Sequence, residues 1–191
     1  LKAIFLDRDG TVNEEVDYLL DKKDIKLIDG TIEALEIFKN LGFLNIIVTN
    51  QSAVARGLLT IQELELINDE LLSLLRKDGK KLIDDIFYSP YHIDGIVPEF
   101  SVISDDRKPG IGMIEKAKIK YNLNLNDSFL IGDSFADIKC GLNAGLKTIL
   151  VLTGYGARTL KEYRKENINL FYIAGNLLDA ARFISNNPQK V

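Results

Sequence analysis

One pattern constrains this chain more than any other. Short apolar runs of strand length alternate with longer segments whose apolar residues recur at helical spacing. Ala3-Ile4-Phe5-Leu6, Asn45-Ile46-Ile47-Val48, Ile83 to Tyr88, Phe129-Leu130-Ile131, Thr148 to Leu152 and Leu170 to Ile173 read as strands. Between them, Ile32, Leu35, Ile37, Phe38 and Leu41 mark a helix that Gly42 ends. Leu64, Ile67, Leu71, Leu72 and Leu75 mark a second, opened by the capping-box pattern Thr60-Ile61-Gln62-Glu63. Met113 to Tyr121, Ala136 to Ala144, Leu160 to Lys165 and Leu177 to Ile184 read as further helices, and Lys77 to Lys81 as a cationic helix end. The alternation predicts an α/β fold, a three-layer Rossmann-like and mainly parallel sheet with helices on both faces.

No repeat, low-complexity tract or linker breaks the pattern, so residues 1–191 read as a single domain. The net charge of -4 gives no general attraction to nucleic acid or to an anionic membrane. No apolar run approaches the roughly 20 residues that span a bilayer, and Leu1 to Leu6 enter a strand pattern rather than a leader. The chain begins with Leu1 rather than Met, which leaves room for residues before it. Cys140, the one cysteine, excludes an intrachain disulfide and reads as a small buried apolar side chain. The cytoplasm is the expected compartment.

In an open parallel sheet, ligands sit beyond the carboxyl ends of the strands. Four segments bring polar residues to such ends: Asp7-Arg8-Asp9-Gly10-Thr11, Thr49-Asn50-Gln51-Ser52, Arg107-Lys108-Pro109, and Gly132-Asp133-Ser134 with Asp137 beyond. The third closes a stretch from 89 to 109 that has neither period and contains Pro90, Gly95, Pro98 and Pro109, a loop of a length that is usually functional. These residue types suit hydrolysis of a phosphate monoester. A carboxylate at a strand tip, Asp7, can attack phosphorus, and Asp9 can protonate the leaving oxygen and later activate water. The acidic pair calls for a cation, and Mg²⁺ takes oxygen ligands and shares them with phosphate, with Asp133 completing its set. Thr49, Asn50 and Lys108 can hold phosphoryl oxygens.

The four segments resemble, in order, the motifs of the haloacid dehalogenase superfamily. The resemblance runs from Ile4 to about Leu152. It implies Asp7 as nucleophile, Asp9 as general acid/base, and Mg²⁺ held by Asp7, the backbone carbonyl of Asp9, and Asp133. Thr49 to Gly57, Asp106 to Pro109, Asp17-Tyr18 and Leu27 to Gly30 look like the D-glycero-D-manno-heptose 1,7-bisphosphate phosphatases. That family implies substrate contacts from Glu15, Val16, Asp17, Tyr18, Thr49, Asn50, Gln51, Ser52, Arg107, Lys108 and Ser134. It also implies a monomer that serves surface-polysaccharide precursor synthesis. The related histidinol-phosphate phosphatases usually carry aspartate where Ser52 stands. Members commonly bind a structural zinc through Cys-x-His and Cys-x-Cys. Here Ser89-Pro90-Tyr91 and Ser104-Asp105-Asp106 occupy those places, and His92 with Asp106 does not make a site, so no zinc is expected. Ala53 replaces a usual glycine, and Ser134 a frequent lysine.

Several residues carry two readings. Asp137 is either a partner behind the metal ligands or a first-turn acid favouring the helix dipole. Asp133 can also serve as an N-cap. Arg56 is either a loop ion-pair partner or a substrate contact, and His92 suits a loop hydrogen bond. The stretches 12–29, 53–59 and 89–109 are the material for a minimal cap made of loops. The leading expectation is removal of the 7-phosphate from the heptose bisphosphate. Alternatives are a histidinol-phosphate or other small-metabolite phosphatase, and a non-catalytic sugar-phosphate-binding protein. A polynucleotide phosphatase is disfavoured by the lack of a basic composition.

Overall fold

The computed structural model describes residues 1–163 and 169–187. Six strands form one parallel sheet: β1 (Lys2–Leu6), β2 (Phe43–Asn50), β5 (Asp85–Ser89), β6 (Phe129–Gly132), β7 (Lys147–Val151) and β8 (Tyr172–Ala174). Two further strands, β3 (Arg76–Lys77) and β4 (Lys80–Lys81), form a small antiparallel hairpin. The sheet order is β5-β2-β1-β6-β7-β8, so the chain winds outwards in both directions from β1 and β6. That reversal opens a crevice between the carboxyl ends of β1 and β6. Asp7 and Asp133 stand there, each one residue beyond its strand.

Alternation along the strands builds two cores. Ile4, Leu6, Ile47, Phe129 and Ile131 face the layer of α1 (Thr31–Asn40), α2 (Ile61–Leu74) and α6 (Leu177–Asn186). Ala3, Phe5, Ile46, Val48 and Leu130 face the layer of α3 (Gly112–Tyr121), joined by Cys140 of α4 (Phe135–Asn143). Burial on both faces explains why these strands are apolar at every position rather than at alternate ones. α5 (Gly156–Tyr163) follows β7, so the expected helix at Leu160 begins earlier, and its Arg164 and Lys165 lie outside the described residues.

Thr60 and Glu63 cap α2 reciprocally, as the sequence pattern predicts. The expectation for Lys77 to Lys81 is corrected. The helix ends at Leu74, and the chain turns back through Asp78 (φ 48°) and Gly79 (φ 75°). Two successive residues at positive φ make the tight turn that a two-residue hairpin requires, and Asp-Gly is a favoured pair for it. Ile83 and Asp84 fall outside the third main strand. The Asp84 carboxylate instead accepts the Asn45 amide at 2.7 Å and pairs with Lys39.

Among the described residues no separate cap domain stands between β1 and α1, only a 3-10 turn at Lys22–Asp24. The loop from Pro90 to Ile111 carries no helix or strand. Tyr91 packs on Phe100 with ring centroids 6.1 Å apart, and the Ile96 and Val97 amides donate to the Ala55 carbonyl at 2.8 and 3.0 Å. Arg107 Nη1 donates to the Tyr91 carbonyl at 3.1 Å, and His92 Nδ1 accepts the Asp94 amide at 3.1 Å.

Candidate active site

A cavity of about 280 Å³ lies in the crevice, with Asp7, Asp9, Thr49, Lys108 and Asp133 on its walls. Glu15, Asp17, Tyr18, Asn50, Gln51, Ser52, Arg107 and Ser134 also line it. Of the sequence-predicted contacts two lie elsewhere. Val16 is exposed and lines only a neighbouring cleft, which Glu15, Asp17, Leu27 and Asp29 also line. Arg56 does not line the cavity. It lies near Arg107 and His92, and its buried Nε has no hydrogen-bond partner.

Carboxylate oxygens of Asp7, Asp133 and Asp137 all lie within 4.8 Å of one another, on the ends of two neighbouring strands and the first turn of α4. Lys108 is 3% exposed and answers part of that charge. Its Nζ donates to Asp7 Oδ1 and to the Val48 carbonyl, each at 2.7 Å, and pairs with Asp137 Oδ1 at 2.6 Å. Burial and the charge of Asp137 raise the Asp7 pKa to about 7 against the opposing pull of Lys108. Burial and the charges of Asp7 and Asp137 raise Asp133 to about 8. Burial works against the Lys108 ammonium, yet Asp137 and Asp7 hold its pKa above the ordinary lysine range. One cation thus faces three acids, and an all-oxygen set with this mutual repulsion suits a hard divalent ion.

Asp137 serves two neighbours at once. Its Oδ2 accepts from the Ser134 amide at 3.0 Å and from Ser134 Oγ at 2.5 Å, closing a capping box on α4, while Oδ1 pairs with Lys108. The N-cap of α4 is therefore Ser134, not Asp133. Asp133 is committed elsewhere, its Oδ2 accepting the Tyr155 amide at 2.6 Å. Asn50 grips the loop, since its side chain exchanges two hydrogen bonds with the Lys108 backbone at 2.9 and 3.0 Å.

Asp9 is oriented differently from Asp7. Its carboxylate accepts from Arg8, Asn13 and Gln51. Burial opposes its charge, but the Arg8 guanidinium and these hydrogen bonds hold its pKa below the usual carboxylate value. Burial, with Asp9 nearby, pushes Glu15 up to about 7.

Arg8 and the segment after β7 carry no role in the four strand-end motifs. Thr153 Oγ1 donates to the Gly10 carbonyl at 2.6 Å, and Tyr155 lines the cavity. Gly10 (φ 80°) and Gly154 (φ 52°) flank Asp133 so closely that an added Cβ would lie 2.2 or 2.1 Å from its Oδ2. The Gly154-Tyr155-Gly156 spacing at a strand end was the available signal.

A family model described as HAD-hydrolase-like matches residues 106–180. The D-glycero-alpha-D-manno-heptose-1,7-bisphosphate 7-phosphatase of Photorhabdus laumondii is 39% identical over 91% of this chain and 95% of that protein. The D-glycero-beta-D-manno-heptose-1,7-bisphosphate 7-phosphatase of Escherichia coli K12 is 38% identical over 80% of each. Among solved structures, the D,D-heptose 1,7-bisphosphate phosphatase of B. bronchiseptica, complexed with magnesium and phosphate, has a TM-score of 0.85 at 28% identity. It covers 98% of this chain and 99% of that one.

Proposed function

The chain belongs to the heptose-1,7-bisphosphate 7-phosphatases of the HAD-like hydrolases, and from that premise we propose that it removes the 7-phosphate of D-glycero-D-manno-heptose 1,7-bisphosphate through an aspartyl-phosphate on Asp7. As a member it is a phosphoric monoester hydrolase. The observation that carries the proposal is the cluster of Asp7, Asp133 and Asp137 around buried Lys108 at the switch point of the sheet.

A carboxylate oxygen of Asp7 forms a bond to phosphorus while the bond from phosphorus to the sugar oxygen breaks. Asp9, ionised in the empty site, takes up a proton when the anionic phosphate is seated beside it and gives that proton to the departing oxygen. The Asp9 carboxylate then takes a proton from water as the water oxygen bonds to phosphorus, and the bond between phosphorus and Asp7 breaks. Phosphate leaves and Asp9 is protonated again. Lys108 and Thr49 hold phosphoryl oxygens throughout. Mg²⁺, held by Asp7, Asp133 and the backbone carbonyl of Asp9, would supply charge neutralisation to the phosphoryl group and to the acids.

The pair Arg56 and Arg107 supports a bisphosphate over histidinol phosphate. Neither guanidinium has an ion-pair partner among the described residues, and Arg107 faces the cavity. They suit a second anionic group and would repel the amine of histidinol. The same proposal takes the enzyme to be a cytoplasmic monomer acting on a small sugar phosphate, without nucleic acid or membrane. No helix among the described residues is long and apolar enough to cross a membrane.

The test is kcat/KM with Mg²⁺ on the heptose bisphosphate and on histidinol phosphate, together with the pre-steady-state burst of dephosphorylated sugar from wild type and from Asp7→Asn. The bisphosphate should be preferred, and the burst should vanish in the variant. A preference for histidinol phosphate overturns the substrate, and an unchanged burst in Asp7→Asn overturns the nucleophile.

A further inference from the structure

Arg8 stands between the two aspartates of the first motif, and the mechanism above gives it no part. It does not line the cavity, and its side chain is completely buried. An arginine is rarely so buried unless its donors are satisfied. Here they converge on Asp9. Nε reaches Asp9 Oδ1 and Oδ2 at 3.2 and 3.1 Å, and Nη2 reaches Oδ2 at 2.8 Å. Nη2 also donates to Gln51 Oε1 at 3.0 Å, and Gln51 Nε2 returns to Asp9 Oδ2 at 2.9 Å. The remaining arm, Nη1, donates to Asn68 Oδ1 at 3.1 Å. Asn68 is a buried residue of α2, a helix that contributes nothing to the cavity wall.

A guanidinium fork fixes both the place and the rotation of the carboxylate it holds. An acid must lie within hydrogen-bond reach of the oxygen that it protonates, and an error of about 1 Å can cost roughly 100-fold in rate. We propose that Arg8 is a positioning residue, whose buried fork, anchored on Asn68 of α2, sets where the Asp9 carboxyl stands relative to the departing sugar oxygen. The proposal rests on the reading of Asp9 as the acid that protonates that oxygen.

The experiment compares two esters that differ in their need for a proton. A sugar alkoxide must be protonated as it leaves, whereas p-nitrophenolate leaves without help. Arg8→Lys keeps the charge and loses the fork. It should lower the pre-steady-state rate at which the sugar is released from the heptose bisphosphate by about 100-fold, while changing KM and the pre-steady-state release of p-nitrophenolate by less than about threefold. Within an Asp9→Asn background, Arg8→Lys should have no further effect on the bisphosphate. Asn68→Ala, which leaves Arg8 in place but cuts its anchor, should show a smaller loss of the same selectivity. It carries the test if Arg8→Lys does not fold, as judged by its melting transition. Equal losses in the pre-steady-state release of the two leaving groups, or an undiminished effect of Arg8→Lys in the Asp9→Asn background, would overturn the proposal. If Asp9→Asn alone hydrolyses the bisphosphate as fast as wild type, the reading of Asp9 fails, and Arg8 loses its role with it.

Discussion

Lys108 Nζ stands 2.7 Å from Asp7 Oδ1, although 101 positions of chain separate the two residues. The contact joins the end of the 89–109 loop to the tip of β1. It puts a buried cation against the carboxylate proposed to attack phosphorus. Asn50 secures the arrangement by fixing the Lys108 backbone from the end of β2.

Replacement of Lys108 by Met should therefore damage both stability and rate. Breaking a buried pair typically costs about 3–5 kcal/mol, because the remaining charge is uncompensated. Loss of a donor to the transition state lowers kcat by roughly 100- to 1,000-fold. The fall in Tm should be larger in EDTA than in Mg²⁺, since the metal also screens Asp7. Equal losses of Tm in the two media would contradict this arrangement.

The raised carboxyls predict how stability follows pH. Asp7 at about 7 and Asp133 at about 8 both exceed the ordinary value of 3.8, so the folded protein binds more protons than the unfolded chain between these limits. Stability of the metal-free protein should therefore fall as pH rises from about 4 to about 8. Mg²⁺ competes with these protons, so the Tm increase it confers should grow with pH across neutrality. Calorimetric scans with and without Mg²⁺ check both slopes, and a Mg²⁺ effect independent of pH would count against the assigned cluster.

Gly154→Ala should weaken metal binding without touching a carboxylate. Its Cβ would fall 2.1 Å from Asp133 Oδ2 and 2.6 Å from Gly10 Cα, at a backbone φ of 52° that L residues rarely adopt. Asp133 must move. Changes that disturb the support of a ligand typically cost about 10- to 100-fold in metal affinity. Activity titrated against Mg²⁺ should show that shift, with kcat at saturating metal less affected.

Arg56→Met should separate a bisphosphate from a monophosphate. Loss of a charge-assisted hydrogen bond of about 1.5 kcal/mol corresponds to roughly tenfold in KM. KM for the heptose bisphosphate should rise by that factor, while KM for the heptose 7-phosphate stays within about twofold. A matched rise for both esters would remove Arg56 from substrate recognition.

The loop between β5 and α3 is expected to stand without zinc. The Tyr91–Phe100 ring contact, the amides on Ala55 and the Arg107 bond to Tyr91 hold it by packing and backbone hydrogen bonds. Phe100→Ala should lower Tm by removing about 2–4 kcal/mol of partly buried packing, and a zinc chelator should leave the wild-type Tm unchanged. Stoichiometric zinc in the purified protein would refute this account.

Much of the site was legible because the fold converts local pattern into position. Once Ala3 to Leu6 and Phe129 to Ile131 are read as strands, the residues after them stand at one edge of the sheet. Asp7, Asp9 and Asp133 are placed by that, whereas Lys108 follows no strand and reaches Asp7 only through the course of the 89–109 loop. Val16 and Arg56 stand off the cavity wall, Arg56 near Arg107, because which side chains of a segment reach a cavity is set by tertiary packing. The Asp78-Gly79 hairpin has a local turn signal, but the lysines around it mimic the cationic end of a helix.

By itself, the chain's alternation of apolar runs determined the doubly wound architecture, and its strand-end carboxylates determined where phosphate chemistry belongs. Both are short-range properties, because period and burial are decided within a few residues. Only the tertiary structure decided that Asp137 both caps α4 and pairs with Lys108, that Gly10 and Gly154 enclose Asp133, and that Arg8 ties Asp9 to α2. Each is a matter of which donor meets which acceptor across segments far apart in sequence, and that depends on how the layers pack.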